Sequence, residues 1–193
     1  DWSSDVCSSD LVVVPTSDWA FDGDRAIVLR PEGTLPAFGE LYELTYTAKS
    51  PWVSGIGFAA QRDVAAFLRS GSPDAPIKGR IDATIAFGVS QSGRFLRDFV
   101  KFGFNQDEDG HKVFDGVLSH IAGIGGVFLN ELFAQPYRTR TQHEDHTMPE
   151  NAFPFSAAAS RDPVSGKQGA LLRGDRFDPL LIETNTDAEY WQM

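Results

Sequence analysis

The sequence has little of three things: basic charge, cysteine and long apolar runs. Its 193 residues include 17 basic and 27 acidic side chains, and a formal net charge of −10 would repel the phosphate backbone of a nucleic acid. A single cysteine permits no intrachain disulfide and gives no indication of an oxidising compartment. The longest apolar stretches, such as Leu11–Val14 and Val64–Leu68, are far shorter than the ~20 residues that a membrane span requires.

The chain does contain enough apolar residues to bury a core. Hydrophobic residues make up 41% and aromatic residues 12%, which argues against a disordered chain. Residues 1–11 are the exception, because they are rich in serine and aspartate and have neither helical nor strand periodicity. This leader resembles translated adapter read-through at the ends of metagenome-derived reading frames, and we expect it to be non-native or a disordered tail. The domain itself is expected over residues 12–193.

Strands and helices alternate along the rest of the chain. Strands are predicted at Leu11–Pro15, Ala26–Leu29, Leu41–Ala48, Ile81–Phe87, Val117–Ala122 and Pro179–Thr184, and helices over Gly57–Arg69 and from Ser92 to about Gly103. This pattern predicts an α/β fold with a mostly parallel sheet flanked by helices. Over residues 125–176 the periodicity fades into a loop-rich excursion, which we expect to form a lid or a pocket wall.

The joint between the strand near Phe87 and the following helix carries the main chemical signal. It reads Gly88-Val-Ser-Gln-Ser-Gly93. A nucleophile on a sharp strand-to-helix turn adopts strained backbone angles, so its neighbours two positions away must be small, as Gly88 and Ser92 are. The helix N-terminus would then direct unpaired amides at Ser90, with the Gln91 amide as first donor of an oxyanion hole. The strict motif G-x-S-x-G has glycine at the position that Ser92 occupies in this chain. The alternative interpretation is that Ser90 is an ordinary N-cap serine.

Several segments together resemble a known family. They are Leu41–Tyr46, Gly55–Asp63, Gly88–Arg97, Phe114–Gly116, His120–Gly123 and Glu189–Trp191. These segments are similar to those of a bacterial family of alpha/beta-hydrolase-domain proteins, whose members are considerably longer. The resemblance implies an incomplete alpha/beta-hydrolase fold and a serine hydrolase that cleaves a small carboxylic ester through an acyl-enzyme. We predict no cofactor and no metal site.

The remaining members of a catalytic triad are less clear from the sequence. In this fold the chain order is serine, acid, histidine, so the acid is expected after the strand at Pro179–Thr184. Glu189, in the family-like Glu-Tyr-Trp, is the first candidate, Asp187 is the alternative, and Glu183 is the third choice.

A histidine must take the serine proton, because a serine hydroxyl is a poor nucleophile without a base. All four histidines precede the acid: His111, His120, His143 and His146. We therefore expect the catalytic histidine beyond Met193 and this chain to be an inactive fragment. His120, near the end of the strand after that of the nucleophile, is expected to line the site, and is the alternative candidate for the base.

Three further motifs are weaker. Gly55–Ala60 matches the dinucleotide fingerprint G-x-G-x-x-A but does not directly follow a strand, as a Rossmann turn would. His143–His146 misses the zinc-protease spacing, and Asn105–Gly110 lacks the glutamate that a calcium loop needs at its twelfth position. The second functional hypothesis is a non-catalytic hydrolase-fold module that binds a ligand or partner in the same cleft.

Overall fold

The structure is a computed structural model of the chain. It describes residues 12–36, 54–127, 129 and 153–191, together with the single positions 38, 42, 44, 46, 47 and 49. The chain divides into two units, residues 1–51 with 139–145 and residues 52–138 with 146–193. Among the described residues, no helix has the length and hydropathy needed to cross a membrane.

The first unit contains a β-hairpin. Its strands are β1 (Trp19–Asp22) and β2 (Ala26–Leu29), which pair antiparallel. Gly23 follows β1 with a φ of 62°, in the left-handed region that glycine enters without a steric penalty. The predicted strand at Ala26–Leu29 is therefore confirmed, and its partner is a segment for which no strand was predicted.

Two other predicted strands of this unit have different outcomes. The strand at Leu11–Pro15 is wrong, because residues 12–15 belong to no strand and the Pro15 carbonyl accepts the N–H of Asp18 in a turn. A β-branched run forms a strand only beside a partner, and β2 is paired with β1 instead. The strand at Leu41–Ala48 lies largely outside the described residues, and its described positions 42, 44, 46 and 47 belong to no strand.

The second unit has the predicted α/β organisation. In chain order it contains α1 (Ile56–Arg69), β3 (Ile85–Val89), α2 (Gln91–Lys101), β4 (Gly116–His120), β5 (Ser160–Arg161), β6 (Gln168–Gly169), β7 (Leu180–Thr184) and α3 (Asp187–Trp191). The strands β3, β4 and β7 form a parallel sheet in that order. The strands β5 and β6 form a separate antiparallel pair within the part of the loop-rich excursion that the structure describes.

The ends of β3 and β4 are set by specific backbone features. β3 begins at Ile85 rather than Ile81, because the N–H of Thr84 donates to the carboxylate of Asp115, 2.9 Å away, instead of joining a strand ladder. β4 ends at His120 rather than Ala122, because Ile121 has a φ of 46° and so leaves the extended region. The predicted elements are therefore present with boundaries shifted by a few residues.

One face of the parallel sheet is packed and the other is open. Leu96, Phe99 and Val100 of α2 lie in a buried core with Val117 of β4 and with Phe58 of α1, whose ring stacks on Phe95 at 4.7 Å. On the opposite face the large apolar side chains are 60–81% exposed: Ile85, Phe87, Leu180 and Ile182. Parallel sheets normally bury both faces. The described residues therefore form an incomplete α/β fold.

Candidate active site

β3 and α2 meet at a single residue, Ser90. Its backbone has φ 55° and ψ −120°, which L-residues rarely adopt, and its side chain is exposed. Such a conformation costs on the order of 1–3 kcal/mol and persists only where the surrounding structure imposes it. Ser90 directly follows the carboxyl end of β3. In open α/β sheets, ligands bind at the edge formed by the carboxyl ends of the strands.

Two glycines on either side of Ser90 allow the chain to fold back this sharply. A Cβ atom on Gly88 would lie 2.5 Å from the carbonyl oxygen of Ser92 and 2.9 Å from the nitrogen of Gly93. A Cβ atom on Gly93 would lie 2.9 Å from the Cβ of Ala122 and 3.0 Å from the Oγ of Ser119. Gly88 thus lets the start of α2 approach β3, and Gly93 lets α2 approach the end of β4.

The residue that departs from the strict motif, Ser92, does not obstruct this turn. Its side chain is exposed, whereas its carbonyl group is the part that packs against Gly88. A small side chain can therefore stand two positions after Ser90 without changing the backbone path.

Ser90 occupies the N-cap position of α2 without capping the helix. Its side chain makes no capping hydrogen bond, and its positive φ differs from the β-region angles of ordinary N-caps. Its backbone is held instead: the N–H donates to the His120 carbonyl at 2.8 Å, and the carbonyl accepts the N–H of Arg94 at 3.0 Å. Gln91 follows directly as the first residue of α2.

His120 lies beside this turn, at the end of β4. The register places it between Val89 of β3 and Thr184 of β7, and its side chain is exposed. The ring nitrogen Nδ1 is 2.7 Å from the Oγ1 of Thr184. Within the described ranges, the ring of His120 and the hydroxyl of Ser90 form no hydrogen bond with each other.

The two predicted acids lie in the first turn of α3, directly after β7. The N–H of Thr186 donates to Oε2 of Glu189 at 2.8 Å, and the Thr186 hydroxyl donates to the same oxygen. The N–H of Glu189 is 3.5 Å from the Thr186 hydroxyl, which makes the pair a reciprocal capping box. Asp187, the alternative acid, is exposed.

The same contacts fix the charge of Glu189. The hydrogen bond from the Thr186 side chain, the one from its backbone and the nearby His120 lower the pKa of the Glu189 carboxyl below its ordinary value. Its side chain also comes within 4 Å of where a Cβ on Gly123 would stand, next to the end of β4. Glu189 is therefore an ionised carboxylate at the same sheet edge as Ser90 and His120.

Glu183, the third choice, has a structural contact. It lies on β7 opposite Ser119, on the sheet face that α2 covers, and forms an ion pair with Arg97. The Arg97 side chain is only 4% exposed, and its second terminal nitrogen donates to the carbonyl of Phe155 at 2.8 Å. The carboxylate of Glu183 is thus part of an ion pair with the buried guanidinium group of Arg97.

The structure describes two of the three weaker motifs. Gly55–Ala60 stands at the start of α1, and the described positions before it (42, 44, 46, 47, 49 and 54) belong to no strand, whereas a Rossmann turn follows its strand directly. The side chain of Asn105 bonds to the backbone of Phe114 and Phe177, as a structural turn residue does. His143–His146 lies outside the described residues, and elsewhere no three His, Cys, Asp or Glu side chains cluster as metal ligands would.

The sequence reasoning missed two threonines at this edge, Thr184 and Thr186. The capping box was readable, because Thr186 and Glu189 have the T-x-x-E spacing of that motif. The contact of Thr184 with His120 was not readable, since it depends on the register between two strands far apart in the chain.

Comparison with known proteins gives a match at the level of a family. A family model described as "Alpha/beta hydrolase domain" matches residues 29–175, which is more than half of the chain. The matched range includes Ser90 and His120 and ends before β7 and α3. No curated protein and no solved structure matches the chain.

Proposed function

We propose that the chain, which belongs to the alpha/beta hydrolase domain family, is a serine hydrolase whose nucleophile is Ser90. The observation that supports this most strongly is the backbone of Ser90: a positive φ at a strand-to-helix turn, with an exposed hydroxyl that does not cap the helix. A nucleophile elbow needs this arrangement, whereas an N-cap serine does not. The proposed substrate is a small carboxylic ester.

The proposed reaction proceeds through an acyl-enzyme. The Oγ of Ser90 attacks the ester carbonyl carbon while its proton passes to a base, and the carbonyl oxygen becomes an oxyanion. The Gln91 amide, at the start of α2, donates a hydrogen bond to that oxyanion. Collapse of the intermediate expels the alcohol with the proton from the base, and water then releases the acid by the reverse sequence.

The proposal assigns no residue of the described chain as the general base that takes the Ser90 proton. Among the described histidines, His111 precedes β4 and His120 ends it, and neither hydrogen-bonds to the Ser90 side chain. Because neither described histidine is bonded to Ser90, the proposal predicts slow or absent ester turnover by the 193-residue chain. Glu189, held ionised by Thr186, is the proposed orienting acid, with Asp187 as the alternative.

A fluorophosphonate labelling experiment tests the nucleophile. Hydrolases that lose a triad member keep about 10³–10⁴-fold acceleration over water from the remaining site, so Ser90 should label slowly even without its base. We expect mass spectrometry to find the adduct on Ser90 and not on Ser92, which is also exposed and two residues away. Equal modification of both serines, or none on Ser90, contradicts the assignment.

Turnover of a chromogenic short-chain ester tests whether the chain lacks a general base. Fast turnover that is abolished by Ser90→Ala would mean that the chain already holds a complete catalytic set, contrary to the proposal. A folded chain that binds ligands in this cleft but never labels at Ser90 would favour the alternative, a non-catalytic hydrolase-fold binding module.

A further inference from the structure

The ring of His120 is held in place from one side only. Its Nδ1 lies 2.7 Å from the Oγ1 of Thr184, and no side chain of the described ranges binds the other ring nitrogen, Nε2. The backbone of the same residue accepts the N–H of Ser90 at 2.8 Å. His120 is thus joined to the elbow through its main chain and to β7 through its side chain.

Thr184 is itself fixed by the backbone around it. It pairs with His120 in the parallel register, and its carbonyl accepts the N–H of Ile121 at 2.6 Å. One residue further, the Oδ1 of Asn185 accepts the N–H of Gly123 at 3.1 Å. These bonds join the end of β4 to the end of β7 and so hold the backbone of Thr184 beside that of His120.

We infer that Thr184 is a positioning residue, which fixes the orientation of the His120 ring and leaves Nε2 as the nitrogen that meets a substrate bound at Ser90. The inference rests on the proposed function, because it takes the sheet edge beside Ser90 as the substrate site. A threonine hydroxyl can either donate or accept a hydrogen bond, so it can bind Nδ1 in either neutral tautomer of the ring. The contact therefore fixes the direction of the ring, with Nδ1 towards β7 and Nε2 as the other ring nitrogen.

Glu189 does not take this role. Its Oε2 accepts two hydrogen bonds from Thr186, and its interaction with His120 is electrostatic, without a hydrogen bond between the two side chains in the described structure. A charge that acts across space stabilises a cation but does not orient a ring. Orientation requires the directional contact that Thr184 provides.

Nitrogen NMR of the His120 ring tests the contact directly. In the 193-residue chain we expect an Nδ1 shift that is displaced by the hydrogen bond with Thr184. Thr184→Val, which keeps the side-chain shape and removes the hydroxyl, should remove that displacement from the Nδ1 shift, and Thr184→Ser should restore it. Unchanged ring shifts in a folded Thr184→Val variant would overturn the inference.

A second arm measures the effect on the site. For fluorophosphonate modification of Ser90 we expect His120→Gln and Thr184→Val to weaken the apparent inhibitor affinity at least threefold, with Thr184→Ser near the unmodified chain. His111→Gln is the matched control, because His111 is an exposed histidine before the opposite end of β4. Equal affinities in all four variants would refute the substrate-facing role of His120. If Ser90 labels in no variant, the proposed function fails, while the NMR result still decides whether Thr184 positions the ring.

Discussion

Replacing Gly88 by alanine is the sharpest test of the elbow geometry. The added Cβ would lie 2.5 Å from the carbonyl oxygen of Ser92, 2.7 Å from its carbonyl carbon and 2.9 Å from the nitrogen of Gly93. All three are backbone atoms, so no side-chain rotation relieves the clash and the turn itself has to open. Real Cβ atoms essentially never come this close to other atoms.

The expected cost follows from this geometry. Overpacking usually costs ~1–3 kcal/mol, and a clash with backbone falls at the upper end, so we expect about 3 kcal/mol. For a domain of this size, 1 kcal/mol corresponds to ~2–4 °C in Tm, which gives a fall of roughly 6–12 °C. Because opening the turn moves Ser90 relative to the Gln91 amide, labelling of Ser90 should fall at least tenfold.

Gly57→Ala is the matched control. Gly57 lies in the first turn of α1, and a Cβ there would have no neighbour within 4 Å. The same substitution should therefore be neutral or stabilising by about 0.4–1 kcal/mol. If Gly88→Ala does not fold, Gly93→Ala is the milder variant, since its nearest contact is 2.9 Å, to the Cβ of Ala122, instead of 2.5 Å.

Thermal unfolding and fluorophosphonate labelling of the same samples provide the assay. A Gly88→Ala protein that melts within about 1 °C of the unmodified chain and still labels at Ser90 would refute the reasoning. That result would mean that the elbow does not need the close approach of Ser92 to β3.

Three other predictions test separate features. Ser90→Gly should be more stable than Ser90→Ala by ~1 kcal/mol in urea unfolding, because glycine accepts the positive φ that alanine does not; equal stability would mean that the turn is unstrained. Arg97→Met should cost ~3 kcal/mol, because it leaves the Glu183 carboxylate beside a buried site, and adding Glu183→Leu should recover most of that loss in a double-mutant cycle. Burial raises the pKa of the Asp98 carboxyl, against the hydrogen bond from the Val127 N–H, so the folded state releases this proton at higher pH than the unfolded state does. The contribution of Asp98 to the free energy of unfolding therefore falls as the pH rises above about 4. Asp98→Asn can still accept the Val127 N–H but does not titrate. Urea midpoints measured from about pH 4 to 7 should therefore fall less with pH in this variant than in the unmodified chain.

The features that could be predicted from the sequence are those formed by neighbouring residues in the chain. The strand, Ser90 and the following helix are contiguous, and each leaves its own signal: an apolar run, small residues around a serine, and apolar residues at helical spacing. The helix from Ser92 was found within a residue of its observed start for this reason. Likewise, the parallel arrangement followed from the alternation of strands and helices, without knowledge of any single contact.

What the sequence could not predict depends on pairing between distant segments. Arg97 and Glu183 meet across 86 positions, and the register that sets Thr184 against His120 is chosen by packing of the whole sheet. The strand predicted at Leu11–Pro15 failed for the related reason that propensity identifies a segment able to form a strand, but not its partner.

The backbone strain of the described chain is concentrated at one edge of the sheet. Its two non-glycine residues with positive φ are Ser90 and Ile121, each the residue directly after a strand, and β3 and β4 are neighbours. Two such residues cost a few kcal/mol together, on the order of 1–3 each, without any gain in helix capping or burial at Ser90. The two strained residues instead share a location at the ends of neighbouring strands. At Ser90 the strained backbone leaves a hydroxyl exposed at the start of α2. At Ile121 it turns the chain away directly after His120, which is paired with Val89 of β3. The distribution of strain therefore adds to the proposal of an active site at this edge an observation separate from the serine motif, because Ile121 lies outside Gly88–Gly93.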